Sequence, residues 1–206
     1  MLYMLIPLSS LVTKYKLSLQ RILHVGAHMC EEREDYHKAG VSDQHIYWVE
    51  GNSQIVKAML PSIPYIYEAL ISDEDNKPVE FIVTNNGQSS SILELEEHKV
   101  EHPHVVEIYR EQRTTTRLDT MMKKHSIPSV DFLNLDIQGA ELQALKGLGD
   151  YIDHVKYVYT EVNTKALYKN CALLSEIDHF LSEKGFVRME LSMTPHGWGD
   201  AFYVRK

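Results

Sequence analysis

The chain alternates short apolar runs with longer stretches in which apolar residues recur at helical spacing. Arg21-Ile22-Leu23-His24-Val25 is the first run; it stops at Gly26 and reads as a buried strand. Residues 29–39 follow as a helix, with Glu31, Glu32, Glu34 and Asp35 in the half where the helix dipole favours acid and Gly40 as the stop. The same reading predicts a strand over 45–49 ending at Glu50, a helix over 53–60 halted by Pro61, and a strand over 65–70. A turn over 72–76, a strand over 79–84 and the loop signal Asn85-Asn86-Gly87 come next. Residues 88–103 are polar and helix-prone. Beyond them the pattern predicts a helix over 118–125, an apolar strand over 130–135 ending at Asp136, and a helix over 139–145. A strand over 155–160 ending at Glu161 and an amphipathic helix over 173–184 stopped by Gly185 follow. Two last strands, 186–191 and 201–205, are joined by the Pro/Gly-rich link 195–200.

Strands and helices in alternation imply an α/β fold: a mostly parallel sheet with helices on both faces. The closing helix, strand, link and strand predict a C-terminal antiparallel hairpin at one sheet edge. Nothing along the chain has linker composition, so residues 1–206 are expected to form a single domain. The apolar start, residues 1–8, is interrupted by Pro7 and is far short of the ~20 residues of a membrane span. Residues 1–20 therefore read as a cap over the core or an oligomer contact, and a homodimer is compatible with them.

Composition narrows the function classes. With 44% hydrophobic residues, a chain of 206 can bury a sizeable core. The net charge of −8 argues against a duplex nucleic-acid partner, because phosphate neutralisation needs a basic face. Two cysteines cannot form a disulfide framework, which fits a reducing, cytoplasmic compartment. The 11 histidines raise the question of zinc. His98 and His102 have i, i+4 spacing and His104 follows, but Pro103 breaks a helix there and no H-E-x-x-H occurs. A surface loop is the first reading of that cluster and a metal site the second.

Ligands of open parallel sheets bind at the carboxyl ends of the strands. Here those ends are Gly26, Glu50, Leu70/Ile71, Asp136 and Glu161. Glycine lets backbone approach a ligand closely, and an acid at the end of the second strand suits ribose hydroxyls. No G-x-G-x-x-G loop is present to cradle a pyrophosphate, so a nucleoside cofactor without phosphates fits better.

Several segments resemble the FkbM family of S-adenosylmethionine-dependent methyltransferases. They are Ile22-Leu23-His24-Val25-Gly26-Ala27-His28, Trp48-Val49-Glu50, and Ser89-Ser90-Ser91 before Leu93. The most distinctive is Val130-Asp131-Phe132-Leu133-Asn134-Leu135-Asp136-Ile137-Gln138-Gly139-Ala140-Glu141, followed by Leu145-Lys146-Gly147. Gly199-Asp200-Ala201-Phe202-Tyr203-Val204 resembles the family's last strand. Three positions depart: His24 and Gln138 stand where the family usually has an acid, and Cys30 where it has a glycine. The resemblance implies a Rossmann-like class I methyltransferase fold and O-methylation of a hydroxyl. It assigns Gly26, Ala27 and His28 to the methionine moiety, with His24 in reach of it, and Glu50 to the ribose. Leu70, Ile71 and Ser72 would line the adenine, and Ser89, Ser90 and Ser91 would close over cofactor or substrate.

The chemistry adds its own requirements. An alcohol is a poor nucleophile until its proton leaves, so a general base or a Lewis acid is needed. Asp136, Glu161 and Asn163 end adjacent strands and could place three oxygens near the transferred methyl. They would hold either Mg²⁺, which prefers oxygen ligands, or the acceptor hydroxyls with Asp136 as base; the metal-free version is favoured. His196 is a further base candidate, Asp200 a substrate contact, and Trp198 a surface for stacking on a sugar ring. Each has a plainer reading: a helix cap for Asp136, a polar loop for Glu161 and Asn163, hairpin packing for His196 and Trp198, and a hydrogen-bonded core position for His24. The acidic runs at 31–35 and 73–75 read as solvated faces. The expected activity is O-methylation of a sugar or glycan hydroxyl, a secondary-metabolite hydroxyl being the nearest variant. A non-catalytic module binding a nucleoside-like ligand or a partner is the rival, and a metal hydrolase on Asp136, Glu161 and Asn163 comes third.

Overall fold

The computed structural model describes residues 4–206, so Met1 to Tyr3 of the expected N-terminal cap lie outside the described residues. A first helix, α1 (Leu8–Tyr15), buries Leu8 and Leu11 and precedes the first strand, β1 (Ile22–Val25). α2 (Arg33–Lys38), β2 (Ile46–Glu50), α3 (Ser53–Met59), β3 (Ile66–Glu68) and β4 (Leu70–Ile71) follow. β5 (Pro78–Thr84), a one-turn α4 (His98–Glu101), β6 (Glu107–Thr116) and α5 (Leu118–Lys124) form the middle of the chain. The last third holds β7 (Phe132–Leu135), α6 (Glu141–Gly147), β8 (Tyr157–Asn163), α7 (Leu174–Glu183), β9 (Phe186–Met193) and β10 (Trp198–Arg205).

Seven strands form the main sheet in the order β3-β2-β1-β7-β8-β10-β9. The first five are parallel; β10 runs antiparallel to both β8 and β9 and closes one edge with β9 as the expected hairpin. Every residue of β1, β2 and β7 is buried, as strands covered on both faces must be. Leu23, Val25, Val49, Leu133 and Leu135 face one apolar cluster with Met121, Met122 and Leu145. Ile22, Trp48 and Phe132 face the other, with Tyr36 and Leu11. Each such side chain contributes roughly 1.5–3 kcal/mol on leaving water.

Three features differ from the sequence expectation. The strand over 65–70 is two strands, β3 in the main sheet and β4 in a second sheet of order β4-β6-β5. β6 lies where no strand is expected: its residues are mostly half-buried or exposed, so it carries no apolar run and is held by antiparallel pairing to β5. The helix-prone stretch 88–103 is largely loop, with α4 its only α-helical turn.

His24 sits inside the second cluster. Its cross-strand neighbours are Trp48 and Asn134, and its ring lies 5.0 Å from that of Trp48. Tyr36 from α2 donates its hydroxyl to His24 Nδ1 at 3.0 Å and accepts from Asn134 Nδ2 at 2.8 Å. The imidazole is thus a hydrogen-bonded core group, a place its position in an apolar strand allows. Burial pushes its pKa from 6.5 down to about 3. The unfolded chain takes up a proton that the folded one refuses, so this contribution to stability is full above pH 6.5 and is lost as pH falls toward 3. Relative to His24→Phe, the unfolding free energy of the wild type is expected to drop by about 1.4 kcal/mol per pH unit between about pH 6 and 4. Urea titrations across that range check it; curves of equal slope for the two proteins would refute it.

Candidate active site

The carboxyl ends of the parallel strands open into a cavity of about 310 Å³. Its floor begins at Gly26, where β1 ends. Gly26 N and Ala27 N both donate to Val49 O, at 2.9 and 3.0 Å, and Asp136 N donates to Val25 O at 2.9 Å. These bonds draw three strand ends together. Gly26 has φ +90, and a Cβ there would lie 1.7 Å from the carbonyl oxygen of Asp136, so only glycine fits.

His28, φ 42, and Cys30, φ 56, are left-handed and delay the start of α2 until Arg33. The turn they make aims Glu31 and Glu32 at the cavity rather than at solvent. His28 Nδ1 bonds Glu31 Oε1 at 2.7 Å, and its backbone N–H donates to Glu50 Oε2 at 2.8 Å. The other oxygen of Glu50 accepts from Asn52 N at 2.6 Å, which fixes the carboxylate at the end of β2. Burial raises the pKa of Glu50 despite these donors. Burial likewise lifts Glu32 to about 8 and Asp200 to about 7.

Asp136, just past β7, and Glu161, inside β8 because that strand runs on to Asn163, are joined by one side chain: Gln138 Nε2 donates to Asp136 Oδ1 at 2.6 Å and to Glu161 Oε2 at 2.7 Å. Tyr168 Oη donates to Gln138 Oε1 at 2.6 Å. Burial holds both carboxyl groups above the usual range, Glu161 further because Asp136 is beside it. Asp200 pairs across the sheet with Glu161 and accepts from the Tyr159 hydroxyl and from Leu5 N at 2.7 Å. Leu70, Ile71 and Phe81 form an apolar wall, and Ser89, Ser90, Ser91, His98, His102, His104 and Trp198 also line the cavity. Six carboxyl groups line it (Glu31, Glu32, Glu50, Asp136, Glu161 and Asp200), and among the described residues no Lys or Arg does.

Most residues singled out from sequence therefore meet in one place: Gly26, Ala27, His28, Glu50, Leu70, Ile71, Ser89 to Ser91, Asp136, Glu161, Trp198 and Asp200. Four do not. His24 is in the core, as above. Ser72 is buried outside the lining, its hydroxyl 3.1 Å from Asp73 Oδ1. Asn163 is fully buried, its Oδ1 without a partner. His196 lies outside the lining: its Nδ1 bonds Glu101 at 3.0 Å and its ring lies 4.9 Å from that of His102. Glu31 and Glu32 correct the reading of 31–35 as a solvated face, and Tyr168 was not anticipated because no periodicity marks its loop. The Gln138 amide stands between Asp136 and Glu161, and among the described residues no group of three or more His, Cys, Asp or Glu is arranged to hold a metal ion.

Residues 24–188 match the model of the methyltransferase FkbM domain. No curated protein matches the chain. Among solved structures, the chain is similar to a magnesium protoporphyrin IX methyltransferase from Synechocystis PCC 6803 with bound SAM. That match has 13% identity and a TM-score of 0.50 and covers 96% of this chain and 76% of that one. It is also similar to an S-adenosylmethionine-dependent methyltransferase from Clostridium acetobutylicum ATCC 824, at 6% identity and TM-score 0.50, over 96% and 89% of the two chains. At these identities the likeness is one of fold, that of the class I methyltransferases. Among the described residues no helix is long and apolar enough to cross a membrane.

The close approach at Gly26 has a built-in control. Gly40 has nearly the same φ, +89, with nothing within 4 Å of an added Cβ. Gly40→Ala is expected to cost only the left-handed strain, ~1–2 kcal/mol. Gly26→Ala is expected to cost at least ~2 kcal/mol more, because Asp136 backbone must move. Denaturant unfolding of both variants measures the difference; equal costs would mean that the strand ends part easily.

Proposed function

The chain belongs to the FkbM methyltransferase family, and on that premise we propose that its cavity binds S-adenosylmethionine and transfers the methyl group to a hydroxyl of a polyhydroxylated acceptor, a sugar or glycan residue. The observation that carries this reading is the acidic lining of the cavity: six carboxyl groups from the strand ends, the loop after β1 and β10, and no Lys or Arg among the described lining residues. Such a lining suits a cofactor whose sulfonium and ammonium outweigh its one carboxylate and disfavours one bearing phosphates.

The residues present fit that cofactor. Gly26, Ala27 and His28 offer close backbone at the end of β1 for the methionine end, and Glu50 keeps lone pairs for ribose hydroxyls beyond its two backbone donors. Leu70, Ile71 and Phe81 supply an apolar wall for the adenine. S-adenosylmethionine supplies a sulfonium methyl carbon that an oxygen nucleophile displaces in line, leaving a thioether. The protein's part is to orient the acceptor oxygen and take its proton. Asp136 and Glu161, joined through Gln138 in the cavity, are the carboxyl groups to which this reading gives both tasks, in its metal-free form. Burial in an apolar surround makes them better bases than exposed carboxylates.

Ser89, Ser91, Trp198, Asp200 and the three histidine rings line the rest of the cavity. Neutral imidazoles and hydroxyls both donate and accept, as sugar hydroxyls do, and an indole ring offers the flat surface a sugar face packs on. Buried, unpaired Cys30 and Cys171 accord with a cytoplasmic setting.

Calorimetric titration with S-adenosylmethionine, with and without EDTA, is expected to show one site whose affinity the chelator leaves unchanged. Release of S-adenosylhomocysteine over a panel of sugars then identifies the acceptor class. Asp136→Asn is expected to lower turnover by ~10²-fold or more while cofactor affinity falls by less than about tenfold. No binding at millimolar cofactor would sink the reading; binding without turnover on any acceptor would favour the ligand-binding module.

A further inference from the structure

Gln138 lines the cavity and is the uncharged side chain that bridges two of its acids. Its backbone is left-handed, φ 55, and Ser91 Oγ donates to its carbonyl oxygen at 2.8 Å. The side chain is held at both ends. Nε2 spends its two hydrogens on Asp136 and Glu161, at 2.6 and 2.7 Å, and Oε1 accepts from Tyr168 at 2.6 Å. A carboxyl group in this place could offer at most one hydrogen. It would bond one of the two acids and repel the other, and any charge it kept would be a third anion at hydrogen-bond distance.

We propose that Gln138 is a positioning residue for cofactor binding: its amide donates to Asp136 and Glu161 together and holds them as one hydrogen-bonded unit that is ionised when the cationic cofactor is bound. This rests on the reading of the cavity as an S-adenosylmethionine site. The balance is simple: protonated protein and cationic cofactor give the complex and one proton released to solvent. The sign follows from linkage. A bound cation favours the ionised pair, so affinity is full above the pH at which the free pair titrates and falls as pH drops through it. With one linked proton the fall is tenfold per pH unit.

Several other groups face the pair and set its surroundings. His28 and Glu31 come from the loop after β1, with Glu32 at its end; Glu141 comes from α6 and Asp200 from β10. Tyr168 reaches in from the loop after β8. His28 titrates in its own right, its pKa raised by its bond to Glu31 against the opposing effect of burial. The informative quantity is therefore the displacement of the pH curve between proteins that differ only at the clamp.

The test is calorimetric affinity for S-adenosylmethionine from about pH 5.5 to 9, for the wild type, Gln138→Glu and Tyr168→Phe, with thermal melts to confirm folding. Gln138→Glu is expected to move the onset of the acid-side fall upward by at least one pH unit, so that binding on the acid side of both onsets is weakened about tenfold per unit of displacement while the two proteins converge at alkaline pH. Tyr168→Phe removes one hydroxyl that orients the amide. It is expected to move the onset upward by a smaller amount, about 0.3–0.5 unit, and carries the test if Gln138→Glu does not fold. Curves that coincide, or that drop by the same factor at every pH, would show that Gln138 only fills space. Absence of binding by the wild type at every pH would overturn the functional reading and this inference together; binding with unmoved curves overturns the inference alone.

Discussion

The site depends on one close approach of backbone to backbone. Where β1 ends, the α-carbon of Gly26 lies against the carbonyl of Asp136, with no room for a methyl group between them. That contact, with the bonds from Gly26 and Ala27 to Val49 and from Asp136 to Val25, ties the ends of β1, β2 and β7 into one platform. Glu50, Asp136 and the turn bearing His28 stand on it, and their spacing is backbone spacing. A platform of this kind does not rely on side-chain packing for its precision, which is what a reaction needing in-line alignment requires.

The second constraint is electrostatic. Burying carboxyl groups is costly unless each finds hydrogen-bond donors, and here the donors are specific: backbone N–H groups for Glu50, the Gln138 amide for Asp136 and Glu161, and Tyr159 with the Leu5 N–H for Asp200. What remains is a set of acids facing one cavity, several of them held above the usual carboxylate range by burial. The fold tolerates this strain because the two apolar clusters on either side of the sheet hold it shut, a common trade of stability for function.

Much of this was legible in the sequence because it follows from hydrophobic pattern. β1, β2 and β7 are buried on both faces, so they show as apolar runs, and the polar residues that stop those runs are the ones that reach the cavity. The failures have physical causes. β6 is stabilised by pairing to β5 with little burial, so its sequence carries no strand signal. Glu31 and Glu32 look like the charged first turn of a helix; two left-handed residues just before them turn the pair inward, and nothing in their composition announces that. His196 is near the site in sequence terms, but it lies outside the lining, bonded to Glu101 from a distant part of the chain. Tyr168 sits in a loop whose shape only the folded chain defines.

The cavity is built from two sheets that differ in kind. Its floor belongs to the main sheet, while the loops over it, 86–92 and 98–105, hang from the small sheet β4-β6-β5, inserted in the chain between α3 and α5. Roof and floor are tied by hydrogen bonds: Ser91 to the Gln138 carbonyl, His98 N to Leu167 O, and Glu101 to Lys165 and His196. The floor thus carries the acids, and the roof, built from a separate stretch of chain, carries the serines and histidines that face them, so the two halves of the lining answer to different parts of the sequence.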